Sequence, residues 1–204
     1  MKGMFTVNFW DIVAPLYDTF EMFNGGYRKM INKVCGLLPS SSTVLELAAG
    51  TGNYSLAVSE KSQKVLCTDI SDNMLKVAKR KLKNKSNIDF VNMSIFETGL
   101  PDNSYDVVIA SQVLHLLDEP EKAVVEIRRV AKNMIILPMP LLKETSGFGS
   151  FLIVLYKLFG FRPKRSFNME SYKEFIEGVG LSNCEYIRTK GSVSICVAIW
   201  RRTR

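Results

Sequence analysis

Residues 43–55 read TVLELAAGTGNYS, and this stretch decides the fold of the chain. The apolar run Val44–Leu47 predicts a short buried strand. The small residues after it predict a tight turn, and a helix is expected to begin at Asn53. Gly50 and Gly52 have no Cβ atom, so a ligand can press against the backbone of the turn. The stretch therefore predicts a strand, a ligand-binding turn and a helix.

Two strands in this part of the chain each carry an acidic residue near their end. Glu46 lies within the first strand, and it is expected to have a partner because an unpaired buried carboxylate is costly. The second apolar run, residues 65–68, is followed by Asp69, seventeen residues after Gly52. An acid at the end of the second strand can accept hydrogen bonds from both hydroxyls of a ribose. Together these features predict a βαβ unit that binds a nucleoside.

This stretch resembles the first motif of the class I S-adenosylmethionine-dependent methyltransferases. In that family two hydrophobic residues, an acid and a third hydrophobic residue precede Gly-x-Gly-x-Gly. Here the motif runs from Val44 to Gly52, and Ala48 replaces the first glycine. The resemblance implies S-adenosylmethionine as the cofactor. It also implies an α/β fold, a Rossmann-like, doubly wound, seven-stranded and mostly parallel sheet with a C-terminal antiparallel hairpin and helices on both faces.

An NAD-dependent oxidoreductase is an alternative interpretation of the turn. Its fingerprint requires Gly-x-Gly-x-x-Gly, and Ser55 occupies the third glycine position here. Glu46 would repel a pyrophosphate, whereas it would attract the ammonium and sulfonium groups of S-adenosylmethionine. The acid therefore favours the methyl donor. A further alternative is a binding module that has kept the fold and lost catalysis, which the departures at Ala48 and Met93-Ser94 favour.

Later segments resemble the same family and imply the rest of the donor site. Residues 91–95 occupy the place where family members recognise the adenine, usually with an acid and a small residue. Residues 110–118 resemble the segment beside the methionine end of the donor. The resemblance implies the following donor-binding residues: Glu46, Ala48, Ala49, Gly50, Gly52, Asp69, Ile70, Met74, Met93, Ser94, Ile95, Ser111 and Gln112.

Two candidate catalytic residues are His115 and Tyr17. His115 is the only histidine. The ordinary pKa of a histidine is about 6.5, so this residue is either a base that faces the acceptor or a helix-start residue that fills space. Tyr17 lies in a short segment that resembles the opening of the ubiquinone/menaquinone-biosynthesis methyltransferases, and it either covers the donor or packs internally. The same alternatives hold for Tyr27. Asp18 either caps a helix or contacts the donor.

Apolar runs alternate with helical patterns along the chain, which predicts parallel strands joined by helices. Strands are predicted at 43–47, 64–68, 88–92, 105–110, 133–138, 183–189 and 192–200. Helices are predicted at 25–38, 53–60, 72–83, 120–131 and 169–178. We expect a single domain, 1–204, in four parts: an N-terminal helical lid (1–39), a donor-binding core (40–138), a substrate-cap insertion (139–182) and a closing β-hairpin (183–204).

Composition and charge argue against several other classes of protein. The net charge is +7, but Lys76–Lys85 has the spacing of a solvated helix face, and no nucleic-acid partner is expected. The four cysteines form no CxxC pair, so we expect reduced thiols and no metal site. Residues 1–10 lack the apolar region of a secretory signal, which predicts a cytoplasmic protein. The sequence does not indicate the oligomeric state.

The tail contains an apolar, aromatic segment, 148–161, which is too short to span a bilayer. A basic cluster follows it: Arg162, Lys164 and Arg165. We predict that the segment and the first ~25 residues cover an apolar cavity that opens beside Ser111–His115. Such a cavity suits a small or lipid-like acceptor with an acidic or phenolic head. The segment 148–165 is also compatible with peripheral contact at a membrane surface.

Overall fold

The computed structural model of the protein describes Ala14, Asp18 and residues 25–145, 147–158 and 160–203. Tyr17 and most of the expected N-terminal lid lie outside the described residues, so both hypotheses for Tyr17 stay predictions. Among the described residues, every helix is too short or too polar to cross a bilayer.

The described residues include seven strands and six α-helices. The strands are β1 (Thr43–Leu47), β2 (Lys64–Asp69), β3 (Ile88–Asn92), β4 (Tyr105–Ala110), β5 (Ala131–Pro140), β6 (Glu185–Thr189) and β7 (Ile195–Arg201). The helices are α1 (Gly25–Leu37), α2 (Asn53–Val58), α3 (Asp72–Lys81), α4 (Pro120–Val130), α5 (Phe148–Leu158) and α6 (Met169–Gly178). Short 3-10 turns lie at Leu114–Leu116 and Leu142–Glu144.

All seven strands belong to one sheet, in the order β3-β2-β1-β4-β5-β7-β6. Strands β1 to β5 run parallel, and β7 lies antiparallel between β5 and β6. A crossover connection brings the chain back to the edge of the sheet where the preceding strand began, so the next strand runs parallel to it. A short loop joins β6 to β7 and makes that pair antiparallel. The predicted doubly wound sheet with a closing hairpin is confirmed.

Helices cover both faces of the sheet, as predicted. One face packs against α1, α2 and α3 through Tyr27, Met30, Val34, Tyr54, Val58, Ala78 and Leu82. The other packs against α4 and α6 through Ala123, Val124, Ile127, Tyr172 and Ile176. Strand β1 is buried on both faces, because Val44 packs in the first core and Leu45 and Leu47 in the second. A strand buried on both faces has a continuous apolar sequence, which Glu46 alone interrupts.

Strand β5 is longer at both ends than its predicted range, 133–138. Proline cannot donate to a β-ladder, so Pro138 and Pro140 favour an early end to the strand. In the structure β5 continues to Pro140 because β7 still pairs with it there, with Ile195 opposite Pro140. At its other end β5 begins at Ala131, directly after α4.

A charged network fastens the loop between β3 and β4 to α4. Glu126 accepts hydrogen bonds from the Thr98 backbone N–H and hydroxyl at 2.8 and 2.6 Å. Arg129 donates two bonds of 2.8 Å to the same carboxylate and one of 2.6 Å to Asp102. The hydrogen bond from Arg129, supported by those from Thr98, outweighs burial and lowers the pKa of Glu126 to about 2.

Replacing Glu126 with glutamine should destabilise the fold by about 2 kcal/mol, within the range for hydrogen bonds to a charged group. The folded pKa lies below the ordinary value of 4.5, so this contribution is complete well above that value and is lost as the pH falls from there through about 2. Urea denaturation near neutral pH and again at about pH 3 measures both effects.

The matched control is Glu119→Gln. Glu119 forms an exposed pair with Lys122 at the N-terminal end of the same helix, and such pairs contribute about 0–1 kcal/mol. Equal urea midpoints for Glu126→Gln and the wild-type protein would show that the network does not stabilise the fold.

Candidate active site

The carboxyl ends of β1, β2, β3 and β4 meet at one edge of the sheet, which we call the carboxyl edge. In the register of these strands, Leu47 lies beside Ala110 and Asp69 lies beside Asn92. Ligand sites of parallel α/β sheets open at this edge, where the strand order reverses between two neighbouring strands. That reversal falls between β1 and β4. The predicted donor residues, which lie at or just beyond the ends of these strands, therefore share one edge.

Glu46 has the partner that its burial demands. Its side chain is 1% exposed, and Oε2 accepts the Ser55 backbone N–H at 2.7 Å and the Ser55 hydroxyl. Burial raises the pKa of Glu46 to about 7, although the bonds from Ser55 oppose this. Ser55 is also the residue that departs from the NAD fingerprint. The acid and the departure therefore form one feature, which fastens the first turn of α2 to β1.

The turn after β1 has a left-handed backbone at three positions. The φ angles are 53° at Ala48, 57° at Gly50 and 74° at Gly52. Only glycine adopts this region freely, so the backbone at Ala48 is strained by roughly 1 kcal/mol. A side chain at Gly52 would come within 2.9 Å of Leu82. A side chain at Gly50 would meet only the Met74 sulfur, at 4.0 Å, so the turn is open at Gly50.

Asp69 joins the end of β2 to the glycine-rich turn. Its Oδ2 accepts the Gly50 N–H at 2.7 Å, and its Oδ1 accepts the Ser71 N–H at 2.8 Å. The Ala49 N–H donates to the Thr68 carbonyl at 2.8 Å, which joins the same two segments a second time. The Asp69 carboxylate therefore lies directly against the backbone of the turn.

Ile70 and Met74 differ in exposure although both follow Asp69 closely. Ile70 is 53% exposed at the carboxyl edge, where an apolar side chain can cover the face of a flat base. Met74 is buried in the first turn of α3, and its sulfur is the protein atom nearest the open side of Gly50. Ser71 caps this helix, because its Oγ accepts the Met74 N–H at 3.1 Å.

The predicted adenine segment lies next to the end of β2. The Met93 N–H donates to the Asp69 carbonyl at 3.1 Å, and Ser94 Oγ accepts the Phe96 N–H at 3.2 Å. Ile95 is buried, whereas Phe96 is 43% exposed. Sequence reasoning missed Phe96, which adds a second exposed apolar side chain at this end of the candidate site.

The turn after β4 is strained and contains a buried hydroxyl. Gln112 has φ 51°, which is uncommon outside glycine, and its N–H donates to the Pro138 carbonyl at 2.8 Å. Ser111 Oγ is buried and has no hydrogen-bond partner within the described part of the chain. Backbone strain and unsatisfied buried polar groups are typical of ligand-binding sites. Both features favour the predicted role of this turn.

His115 lies in the 3-10 turn Leu114–Leu116, and α4 begins at Pro120. The side chain is 3% exposed, and Nδ1 lacks a hydrogen-bond partner among the described residues. The nearby Phe161 ring lies 6.0 Å away, measured between ring centroids. Burial lowers the pKa of His115 to about 3. The imidazole is therefore neutral at physiological pH and a weak base.

Both ends of the segment 148–165 lie at the carboxyl edge. Gly149 of α5 packs so closely on the Ser192 carbonyl, in the loop before β7, that an added Cβ would lie 1.8 Å from it. This loop is at the carboxyl edge because β7 runs antiparallel to β5. The N–H groups of Lys164 and Arg165 donate to the His115 carbonyl at 2.9 and 3.1 Å. The segment after α5 is thereby fixed beside the turn that follows β4.

The basic cluster after α5 is engaged within the protein. Lys164 pairs with Asp118 at 2.8 Å, and Arg165 pairs with Glu121 at 2.6 Å. Arg162 donates to a backbone carbonyl at the end of α5 at 2.7 Å. The charge of this basic cluster is largely neutralised by acids that precede and begin α4.

Asp18 belongs to a polar cluster that sequence reasoning missed. It accepts a hydrogen bond from the Thr51 hydroxyl at 2.6 Å and one from the Asn53 amide at 3.0 Å. The ammonium of Lys81, at the end of α3, donates to Asp18 at 2.9 Å, to Thr51 at 3.1 Å and to Asn53 at 2.7 Å. The cluster lies directly against the glycine-rich turn. No motif links positions that are 63 residues apart.

Metal and disulfide chemistry find no support in the described part of the chain. No group of His, Cys, Asp and Glu there is arranged to hold a metal ion. The cysteines are free thiols: Cys35, Cys67, Cys184 and Cys196.

Tyr27 is buried and packs edge to face on Tyr54, with 5.8 Å between the ring centroids, which favours the packing hypothesis for this residue.

Known proteins resemble this chain in the region that contains the candidate site. A family model described as "Methyltransferase domain" matches residues 45–135, from β1 into β5, and this range includes every predicted donor residue. The demethylmenaquinone methyltransferase of Renibacterium salmoninarum is 36% identical over 128 residues, 60% of this chain and 52% of that protein. The enzyme of the same name from Bacillus licheniformis is 24% identical over 221 aligned positions, 94% of this chain and 95% of that protein.

A third relative is the ubiquinone/menaquinone biosynthesis C-methyltransferase of Salmonella arizonae. It is 32% identical over 130 residues, 59% of this chain and 52% of that protein. The chain therefore spans about half the length of the Renibacterium and Salmonella relatives that it matches.

Solved structures share the fold over most of the chain. A SAM dependent methyltransferase from Aquifex aeolicus has a TM-score of 0.65 at 20% identity, covering 89% of this chain and 91% of that one. The [4+2]-cyclase SpnF has a TM-score of 0.74 at 16% identity, covering 96% and 94%. Magnesium protoporphyrin IX methyltransferase from Synechocystis PCC 6803, with bound SAH, has a TM-score of 0.67 at 19% identity, covering 87% and 84%. With the matched motifs and strand order, these findings show that residues 45–135 match a methyltransferase domain and that the chain has the fold of S-adenosylmethionine-dependent methyltransferases.

Proposed function

We propose that this chain transfers a methyl group from S-adenosylmethionine to a small or lipid-like acceptor. The observation that carries the proposal is the 2.7 Å hydrogen bond from the Gly50 N–H to Asp69. It brings the acid suited to ribose hydroxyls against the turn suited to the methionine part of the donor. The match to a methyltransferase family over this same region supports the choice of donor.

When bound, S-adenosylmethionine would supply an electrophilic methyl carbon, which an N, O, C or S atom of the acceptor takes in an in-line displacement. The residues of this chain would bind and align the reactants. Gly50 leaves room against the backbone, Asp69 accepts hydrogen bonds from the ribose, and Ile70 covers one face of the base. Alignment is a large part of the rate enhancement that such a site can provide.

Ser111 and His115 are the groups that we propose to face the acceptor. Each has a buried polar atom without a partner in the described residues, and a hydrogen bond from a bound molecule would relieve that cost. The neutral imidazole suits hydrogen bonding better than strong base chemistry. A phenolic or enolic acceptor that ionises easily needs little help from a base. Tyr17 remains a candidate to cover the donor.

An apolar, ring-bearing acceptor fits the neighbourhood of His115. Phe161 lies beside the imidazole, and α5 bears exposed apolar side chains at Phe151, Val154 and Leu158. Two of the relatives are named for demethylmenaquinone, and an acceptor of that kind is our first choice for this chain. Peripheral contact of 148–165 with a membrane would depend on these apolar side chains, since the basic cluster is already paired.

Calorimetric titration and thermal unfolding with S-adenosylmethionine, S-adenosylhomocysteine and NAD test the donor. We expect both adenosyl compounds to bind and to raise the melting temperature, because a ligand specific to the folded state stabilises it by about 2.7 kcal/mol at a hundredfold excess over Kd. NAD should have no effect. Binding of NAD alone would support the oxidoreductase alternative, and no response to millimolar adenosyl compounds would overturn the proposal.

A binding module without methyl transfer is the second candidate. Ala48, strained at the position of the family's first glycine, favours it. A similar fold in a protein described as a [4+2]-cyclase shows that this fold is not limited to methyl transfer. The two candidates differ in turnover. Formation of S-adenosylhomocysteine in the presence of quinol or phenol acceptors supports the enzyme, and tight binding without product supports the module.

A further inference from the structure

Three separate parts of the chain meet in the polar cluster beside the glycine-rich turn. Asp18 precedes α1, Thr51 and Asn53 lie on either side of Gly52, and Lys81 ends α3. An ammonium group has three N–H donors. Those of Lys81 are matched by three oxygens, one each from Asp18, Thr51 and Asn53. The cluster is therefore a complete hydrogen-bonded unit and not a chance surface pair.

The turn is held at Gly50 by Asp69, but the backbone on each side of Gly52 does little to fix the side chains there. Thr51 lies between Gly50 and Gly52, which both have left-handed φ angles, and glycine loses more conformational freedom on folding than any other residue. Helix α2, which follows, has six residues and no side-chain hydrogen bond at its N-cap. Side chains from outside the turn are thus needed to hold Thr51 and Asn53, and Lys81 and Asp18 supply them.

The charges of the cluster support a fixed geometry. Burial alone would raise the pKa of Asp18, but the hydrogen bonds from Thr51 and Lys81 prevail and the pKa is lowered. The carboxylate is therefore ionised at physiological pH beside the ammonium of Lys81, 2.9 Å away. A pair that is partly exposed contributes little to global stability, so its main effect is expected on the local shape of the turn.

We propose that Lys81 and Asp18 are positioning residues for the methyl donor. They act on the donor through Thr51 and Asn53, whose side chains they hold on each side of Gly52. The inference rests on the proposed function, because it assigns the turn to donor binding. It adds Lys81, which lies outside every motif of the sequence, and it gives Asp18 a role that acts through the turn. Donor affinity then depends on the contact between the chain before α1 and the end of α3.

Lys81→Met is the first test, and Lys85→Met is its matched control. Lys85 lies four residues further along and pairs with Glu60 at 3.4 Å on the surface. We expect Lys81→Met to raise the Kd for S-adenosylhomocysteine about tenfold to a hundredfold, the effect of leaving charged and polar partners unpaired. The KM for the donor should rise by a similar factor and kcat should change little. Lys85→Met should match the wild-type protein.

Asp18→Asn provides a second variant that keeps the shape and an acceptor oxygen but removes the charge. It should raise the Kd for S-adenosylhomocysteine less than Lys81→Met does. If Lys81→Met does not fold, Asp18→Asn still tests the inference. Unchanged Kd values in folded Lys81→Met and Asp18→Asn, with a wild-type protein that binds, would overturn this inference alone. A wild-type protein that fails to bind S-adenosylhomocysteine would overturn the proposed function and this inference with it.

Discussion

Replacing Gly50 with valine should abolish binding of S-adenosylhomocysteine while the sheet stays folded. A Cβ at this position meets only the Met74 sulfur, at 4.0 Å, so the side chain would occupy the open space assigned to the donor. Its φ angle of 57° adds strain for any other residue, on the order of 1–3 kcal/mol. A typical fold of about 5–15 kcal/mol tolerates that loss.

Gly50→Ala and Gly99→Ala separate lost space from backbone strain. Gly99 also has a positive φ, 68°, and an added Cβ there meets no atom within 4 Å. Urea denaturation should show similar losses of stability for the two alanine variants. Calorimetry should show weakened ligand binding only for Gly50→Ala. A folded Gly50→Val variant that binds with wild-type affinity would remove the turn from the donor site.

The fold was predictable because its pattern is local and regular. A strand buried on both faces, such as β1, is a continuous apolar run, and the helices between strands repeat their apolar face. The end of β5 was predicted wrongly because a proline excludes a strand only where the neighbouring strand requires a hydrogen bond from that residue's N–H. The pairing that carries β5 to Pro140 comes from β7, which lies more than fifty residues further along the chain.

The candidate site was predictable wherever topology alone brings residues together. Asp69 and the glycine-rich turn follow adjacent parallel strands, so their ends must meet. The contacts of Lys81 depend instead on the positions of the end of α3 and of the chain around Asp18 in the folded protein. No rule of sequence spacing predicts such a contact. The ion pairs of Lys164 and Arg165 could not be predicted from the sequence for the same reason. The His115 carbonyl holds the backbone of Lys164 and Arg165 close to their acidic partners, which lie just beyond His115 in the sequence.

Asp69 is the other position where a large effect is expected, and there two roles must be separated. Asp69→Ala should weaken binding of S-adenosylhomocysteine by about 1–3 kcal/mol, the range for hydrogen bonds to a charged group. The variant should also lose stability, because Asp69 holds the N–H groups of Gly50 and Ser71. Weaker binding alone therefore does not show contact with the ribose. Asp72→Ala, which removes an exposed carboxylate in the first turn of α3, is the control for a general loss of charge.

A ligand without the two ribose hydroxyls resolves the question. If Asp69 binds the ribose, the 2′,3′-dideoxy analogue of S-adenosylhomocysteine should bind the wild-type protein more weakly than the parent compound does, whereas Asp69→Ala should bind both compounds alike. The four dissociation constants form a double-mutant cycle whose coupling energy isolates the contact. If Asp69 acts only by holding the turn, removing the hydroxyls should cost the same affinity in both proteins. A coupling energy near zero would therefore assign Asp69 to the turn, and a coupling of about 1 kcal/mol or more would assign it to the ribose.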